Sequence, residues 1–144
     1  MNTRNFSAAL GLVALLSTAC GGGGGDKGSA SRTLQIGMVD TAYQPTTLAV
    51  ARGEKVTFTF ANKGTAAHDA YVGDVAAQAE HEKDMATAAG HGGGHGGGDK
   101  DALTVDPGKT GSLTHTFDQA GVFEIGCHQP GHYASGMKLT VTVA

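Results

Sequence analysis

The chain has 144 residues, a formal net charge of −3 and 24 glycines, and 40% of its residues are hydrophobic. This length suits one small hydrophobic core once a leader segment and a long insert are set aside. The 10 Lys and Arg residues against 13 Asp and Glu residues leave no basic surface, which excludes nucleic acid and anionic lipid headgroups as expected partners.

Residues 1–19 are predicted to form a signal peptide. Arg4 supplies its positive end, and the apolar run over residues 8–16 is too short for a stable membrane span. Residues 16–20, Leu-Ser-Thr-Ala-Cys, resemble a bacterial lipobox, in which the cysteine is lipidated and becomes the N-terminus after cleavage. We therefore expect Cys20 to carry a lipid anchor; ordinary signal-peptidase cleavage near Ala19 is the alternative.

Residues 20–32 are rich in Gly and small polar residues and are predicted to be a flexible tether. Residues 33–144 are predicted to form one all-β domain. Apolar residues alternate with polar ones in four segments, which indicates strands with one buried face: 34–38, 56–60, 123–127 and 138–143. Short strands separated by Gly, Pro and Asn turns predict a two-sheet antiparallel sandwich.

The predicted domain is interrupted by an insert at residues 73–101 that contains the repeat Gly-His-Gly-Gly-Gly-His-Gly-Gly-Gly. The insert has little periodicity and is predicted to be a long loop. A solvated spacer is the simpler interpretation. The alternative hypothesis is a weak, mobile metal-capture arm that uses His81, Met85, His91 and His95.

The stretch from Gly126 to Met137 contains a thiol, an imidazole and a thioether on one Gly/Pro-rich loop. Cys127, His132 and Met137 are evenly spaced, with four residues between each pair. Soft donors of this kind suit copper better than magnesium or calcium, and zinc seldom takes a thioether. Each residue alone would most simply be core filler or a solvated side chain, but the cluster is hard to explain as packing.

A second imidazole is needed, and His68 is the best candidate because it opens a strand-like run, residues 68–72, just after a turn. The histidines of the insert lie among Gly repeats, which give no rigid frame for a copper ligand. His115 lies on the same side of its predicted strand as Leu113 and Phe117 and is expected at the core or its margin. His128 is next to Cys127 and therefore points to the opposite side of the chain. It is expected to point outward or to support the site without binding the metal.

Cys127-x4-His132-x4-Met137, preceded by Gly-Val-Phe-Glu-Ile-Gly and followed by Lys-Leu-Thr-Val-Thr-Val, resembles the C-terminal copper motif of the cupredoxins, the small blue-copper proteins. The resemblance implies a Greek-key sandwich and a single copper ion cycling between Cu(I) and Cu(II). It also implies that His68, Cys127 and His132 are the strong ligands and Met137 the weak axial one. The chain differs from many members in having Asp69, where they have Asn, and in its long insert.

These features predict an exported type 1 copper protein that carries single electrons between redox partners in the cell envelope. The alternative is copper handling, meaning storage, delivery or resistance. The resemblance implies electron exchange with a transient protein partner, such as a cytochrome or an oxidase, at the surface around His132. We expect a lipid-anchored monomer without enzymatic activity, because no nucleophile triad, paired carboxylates or phosphate loop is evident and no metal position is left open.

Overall fold

The computed structural model describes residues 31–89 and 100–144. The predicted signal peptide, Cys20, His91 and His95 lie outside the described residues. The first strand begins at Ser31, so the last two residues of the predicted tether belong to the domain. No helix in the described part of the chain is long and apolar enough to cross a membrane.

The described residues form nine strands and one helix. In chain order these are β1 (Ser31–Val39), β2 (Ala42–Gln44), β3 (Thr47–Val50), β4 (Lys55–Asn62), β5 (His68–Gly73), α1 (Val75–Ala89), β6 (Ala102–Val105), β7 (Thr110–Thr116), β8 (Gly121–Gly126) and β9 (Lys138–Val143).

The strands form two sheets, which confirms the expected sandwich. One sheet has the order β2-β1-β4-β7 and the other has the order β3-β9-β8-β5-β6. Most neighbours are antiparallel, but β1 pairs with β4 and β3 pairs with β9 in parallel. Parallel neighbours need long connections, which the chain supplies by crossing between the sheets before it returns. Each sheet is therefore mixed rather than wholly antiparallel.

The core lies between the sheets and follows the predicted alternation. In β4 the side chains of Val56, Phe58 and Phe60 are fully buried, whereas Lys55 is exposed. Phe58 packs edge-to-face against Phe117 of the segment after β7, with ring centroids 6.2 Å apart. Phe117 in turn packs against Phe123 of β8 in the other sheet, with ring centroids 5.5 Å apart, and such contacts between the sheets give the strand ends a rigid base.

The insert departs from the sequence-based prediction, because its first half is the helix α1 rather than a loop. Asp74 caps the helix: its Oδ1 accepts a hydrogen bond of 2.8 Å from the backbone N–H of Ala77. The helix packs against β5 and β8. Its most deeply buried side chains are polar, Gln78 and His81, so the helix shows no apolar stripe in the sequence.

Candidate metal centre

Three of the predicted ligands converge at one end of the sandwich. His68 is the first residue of β5, Cys127 follows the last residue of β8, and His132 lies in the turn between β8 and β9. One ligand atom from each residue lies within 4.8 Å of the other two. The Sγ of Cys127 is 3.4 Å from the Nδ1 of His132 and 3.8 Å from the Nδ1 of His68. The thiol and both imidazoles thus face one point.

Backbone hydrogen bonds hold the loop that carries Cys127, His132 and Met137. The N–H of Cys127 donates to the carbonyl of Met137 (3.1 Å), and the N–H of Met137 donates to the carbonyl of His132 (3.0 Å). Gly131 and Gly136 turn the chain with φ angles of 79° and 91°, in the region that favours glycine. Met137 is fully buried and belongs to the hydrophobic core cluster.

The electrostatic surroundings of Cys127 and His68 fit a copper ion. Burial raises the pKa of the Cys127 thiol to about 11, although the backbone N–H of Asp69 donates to its sulfur at 3.3 Å and lowers the pKa in part. The sheltered sulfur therefore needs an adjacent cation to become a thiolate at neutral pH. Burial also lowers the pKa of His68, followed by the effect of His132, which favours the neutral imidazole that binds metals.

Asp69 joins the two segments that carry the ligands. Its carboxylate accepts hydrogen bonds from Nε2 of Gln129 at 3.0 and 3.1 Å, and from the hydroxyl of Thr104 at 2.8 Å. Its carbonyl accepts a hydrogen bond from the hydroxyl of Tyr43. Asp69 follows His68, and Gln129 lies two residues after Cys127. The Asp that replaces the more usual Asn thus still ties the ligand loops together, with Gln129 as its partner.

His128 was expected either to point outward or to support the site, and it does not point into solvent. His128 does lie on the face opposite to Cys127, but α1 covers that face and leaves His128 only 3% exposed. Its Nε2 is 2.7 Å from Oε1 of Gln78, and its Nδ1 contacts the carboxylate of Glu82. These contacts agree with the other expectation, that His128 supports the site without binding the metal.

The alternative hypothesis placed His81 in a mobile arm, but it lies in the packed interface of α1. Its ring stacks on Tyr71 with centroids 3.8 Å apart and an interplanar angle of 2°. Met85 is half-buried on the same helix. Two of the four donors that the capture-arm hypothesis requires to be mobile, His81 and Met85, are therefore held on the helix.

His115 lies at the margin of the core, as predicted. Its ring packs against Phe117, with centroids 4.6 Å apart, and its Nδ1 is 2.9 Å from the Asp101 carboxylate.

Sequence reasoning missed the contribution of α1 to the surroundings of the site. The signal was the helix-forming composition of residues 75–89, in which Gln78 and Glu82 are spaced to lie on one helical face.

Comparison with known proteins agrees with this geometry. The family described as copper binding proteins, plastocyanin/azurin family, matches residues 30–144. Two copper-resistant cuproproteins named CopI are similar to this chain. The CopI of Pseudomonas aeruginosa is 33% identical, and the match covers 79% of this chain and 77% of the relative. The CopI of Rubrivivax gelatinosus is 35% identical, and the match covers 83% of this chain and 70% of the relative.

Solved structures show the same fold. Dithionite-reduced auracyanin from Roseiflexus castenholzii has a TM-score of 0.67 and 29% identity, covering 81% of this chain and 99% of its own. Auracyanin A from Chloroflexus aurantiacus, a blue copper protein, has a TM-score of 0.63 and 26% identity, covering 80% and 100%. The matched family spans both ligand segments and the whole sandwich. The chain therefore belongs to the plastocyanin/azurin family of copper binding proteins.

Proposed function

We propose that the protein holds one copper ion in a type 1 centre, with Nδ1 of His68, Sγ of Cys127 and Nδ1 of His132 as strong ligands and Met137 as the weak axial ligand. The observation that carries this proposal is the convergence of the three ligand atoms within 4.8 Å. Two imidazoles, a thiolate and a thioether are the donor set of blue-copper sites. Copper supplies a reversible one-electron couple, and the packed strand ends keep the donors in place.

The visible spectrum with Cu(II) tests the ligand assignment. Wild type is expected to show intense blue absorbance, and Cys127→Ser is expected to lose it because the thiolate is gone. His115→Gln is the matched control, since His115 lies at the core margin. Blue absorbance in Cys127→Ser, or none in wild type, would contradict the assignment.

The names of the relatives favour copper handling as the biological role. Both curated relatives are called copper-resistant cuproproteins, and each covers more than three quarters of this chain. We therefore place copper resistance first and the electron carrier second, which reverses the order that the sequence alone favoured. Electron transfer remains a candidate because buried, hydrogen-bonded donors reduce rearrangement between Cu(I) and Cu(II).

Copper transfer and electron exchange separate the two roles. A copper-handling protein is expected to release Cu(I) rapidly to a chelator and to restore growth of a deletion strain in high copper. Cys127→Ser in the same strain is the control and should not restore growth. Fast electron self-exchange combined with slow copper release would favour the electron carrier instead.

Location and partners follow as parts of the proposal. The predicted signal peptide and Cys20 support a lipid-anchored protein in the cell envelope, and we propose that it is a monomer. His132 is half-buried beneath a rim of small, uncharged and exposed residues, namely Pro130, Gly131, Ala134 and Gly136. Such a rim suits a small, transient contact with a protein that exchanges electrons or copper. No enzymatic activity is proposed, since the protein itself supplies all four ligands.

A further inference from the structure

We propose that α1 is a positioning element of the copper centre, which it reaches through Gln78 and His128. The inference rests on the proposed type 1 site. It assigns to the helical half of the insert a role in fixing Cys127 relative to His68, so that α1 affects copper affinity and spectrum as well as fold stability.

The first support is the way in which Gln78 bridges the two ligand strands. The side chain is fully buried, and its Nε2 donates to the carbonyl of Tyr71 in β5 (3.1 Å) and to that of Glu124 in β8 (2.8 Å). Tyr71 lies three residues after His68, and Glu124 lies three residues before Cys127. These two strands already pair directly here, with Tyr71 opposite Gly126. The amide of Gln78 therefore adds a side-chain link from the helix to both strands, close to their ligands.

The second support is the contact between Gln78 and the residue covalently bonded to Cys127. Because Nε2 of Gln78 donates to two carbonyls, its Oε1 is the atom that faces His128 and accepts from Nε2 of that ring at 2.7 Å. The Glu82 carboxylate contacts the other ring nitrogen. His128 is thus held at both nitrogens by α1, which restricts the peptide that carries the thiol.

The third support is the close fit at Gly126, the residue before Cys127. A Cβ added there would overlap Oε1 of Gln78 and would lie 2.9 Å from Cδ2 of Tyr133. On the side of the backbone that a Cβ would occupy, the residue before the thiol is therefore already packed against both the helix and the ring of Tyr133. Because the packing is close, we expect a change of the Gln78 side chain to move the backbone at Cys127.

The test compares Gln78→Leu with Glu80→Gln, a matched control on the exposed side of the same helix, where the Glu80 side chain is 69% exposed. Leu fills a similar volume but can neither donate to the two carbonyls nor accept from His128. Gln78→Leu is expected to shift the thiolate-to-Cu(II) absorbance and the copper electron paramagnetic resonance spectrum. It should also weaken copper binding by up to about 10-fold, the lower end of the effect of removing a partner bonded directly to a ligand, because Gln78 acts through His128. Glu80→Gln should match wild type.

A helix that only stabilises the fold would give a different result. Gln78→Leu would then lower the midpoint of urea unfolding and leave the spectrum and copper affinity of the folded protein unchanged, which would overturn the inference. Should Gln78→Leu not fold, Glu82→Ala replaces it: an altered spectrum supports positioning through His128, and an unaltered one refutes it. The wild-type spectrum separately tests the type 1 centre, so failure of the two proposals can be told apart.

Discussion

Asp69 connects the two ligand segments through a buried carboxylate, and its charge and its hydrogen bonds can be separated by mutation. Both Thr104 and Gln129 donate to Oδ1, at 2.8 and 3.0 Å. Asp69→Asn keeps this acceptor and removes the negative charge. Because a nearby negative charge favours Cu(II) over Cu(I), we expect Asp69→Asn to raise the reduction potential with little change in stability, measured by redox titration and urea unfolding.

Asp69→Ala is the complementary variant, since it removes the acceptor as well. The donors of Thr104 and Gln129 then lose their partner in a part-buried region, which should lower the free energy of unfolding by about 1–3 kcal/mol. Equal losses of stability in the Asn and Ala variants would show that the charge, rather than the hydrogen bonds, holds the loops together.

Met137 is predicted to be the weak ligand, so its replacement should be tolerated. In Met137→Gln we expect copper to remain bound, because the two imidazoles and the thiolate are unchanged. The reduction potential should fall, since an amide oxygen is a harder donor than a thioether and stabilises Cu(II). Metal analysis and redox titration measure these two properties. Loss of all copper from this variant would mean that Met137 is not a weak axial ligand.

The thiol of Cys127 makes the metal-free protein sensitive to alkaline pH. Burial raises its pKa from 9.0 in the unfolded chain to about 11 in the folded one. Folding therefore favours the protonated thiol: this contribution is fully present below pH 9 and is lost as the pH rises to 11. The expected loss by pH 11 is about 2 kcal/mol in the free energy of unfolding, from 1.36 kcal/mol per pKa unit, because the folded thiol is half ionised at that pH.

Urea unfolding of the metal-free protein at pH 8 and pH 11 measures this loss, and Cys127→Ser is its control. Other groups titrate over the same range in both proteins, so the difference between wild type and Cys127→Ser isolates the thiol. Identical pH dependence in the two proteins would contradict the raised pKa.

At the scale of elements, the strands could be predicted from the sequence and the helix could not. Alternation in the segments at 56–60 and 138–143 reflects one buried face, and the structure buries that face. The side of α1 that meets the sheet buries Gln78 and His81, so its stability depends on hydrogen bonds to strands that sequence periodicity does not reveal. The meeting of His68 with the loop from Cys127 to Met137 was predictable because soft donors have few other reasons to cluster.

The packing of the hydrophobic core is expected to depend strongly on Phe58. This side chain is fully buried in β4, and its ring packs against those of Phe60 and Phe117. Phe58→Ala should lower the free energy of unfolding by about 3–5 kcal/mol, because it removes buried apolar surface and leaves a cavity. Val122→Ala is the control: Val122 is 54% exposed, so its loss should change stability by no more than about 0.5 kcal/mol. Similar losses in both variants, measured by urea unfolding, would contradict the position of Phe58 in the core.

At the scale of the whole molecule, the core and the copper centre are separable. Apolar side chains from both sheets fill the interior, whereas the ligand residues lie where strands begin and end. The sandwich should therefore fold without metal, unlike small domains whose core is too limited to fold alone. This expectation distinguishes a scaffold that holds its ligands in place from a chain that copper itself must organise.

Copper removal tests this separation directly. The metal-free protein is expected to keep its β-sheet circular dichroism and to unfold cooperatively, at a lower urea concentration than the copper form. Copper that binds only the folded state stabilises it by RT ln(1 + [L]/Kd), or about 4 kcal/mol at a free concentration 1,000-fold above Kd. Cys127→Ser should gain much less from added copper, because it lacks the strongest ligand. If the metal-free wild type proves unfolded, the ligands are ordered by the ion, and the strand ends do not hold them in place before it binds.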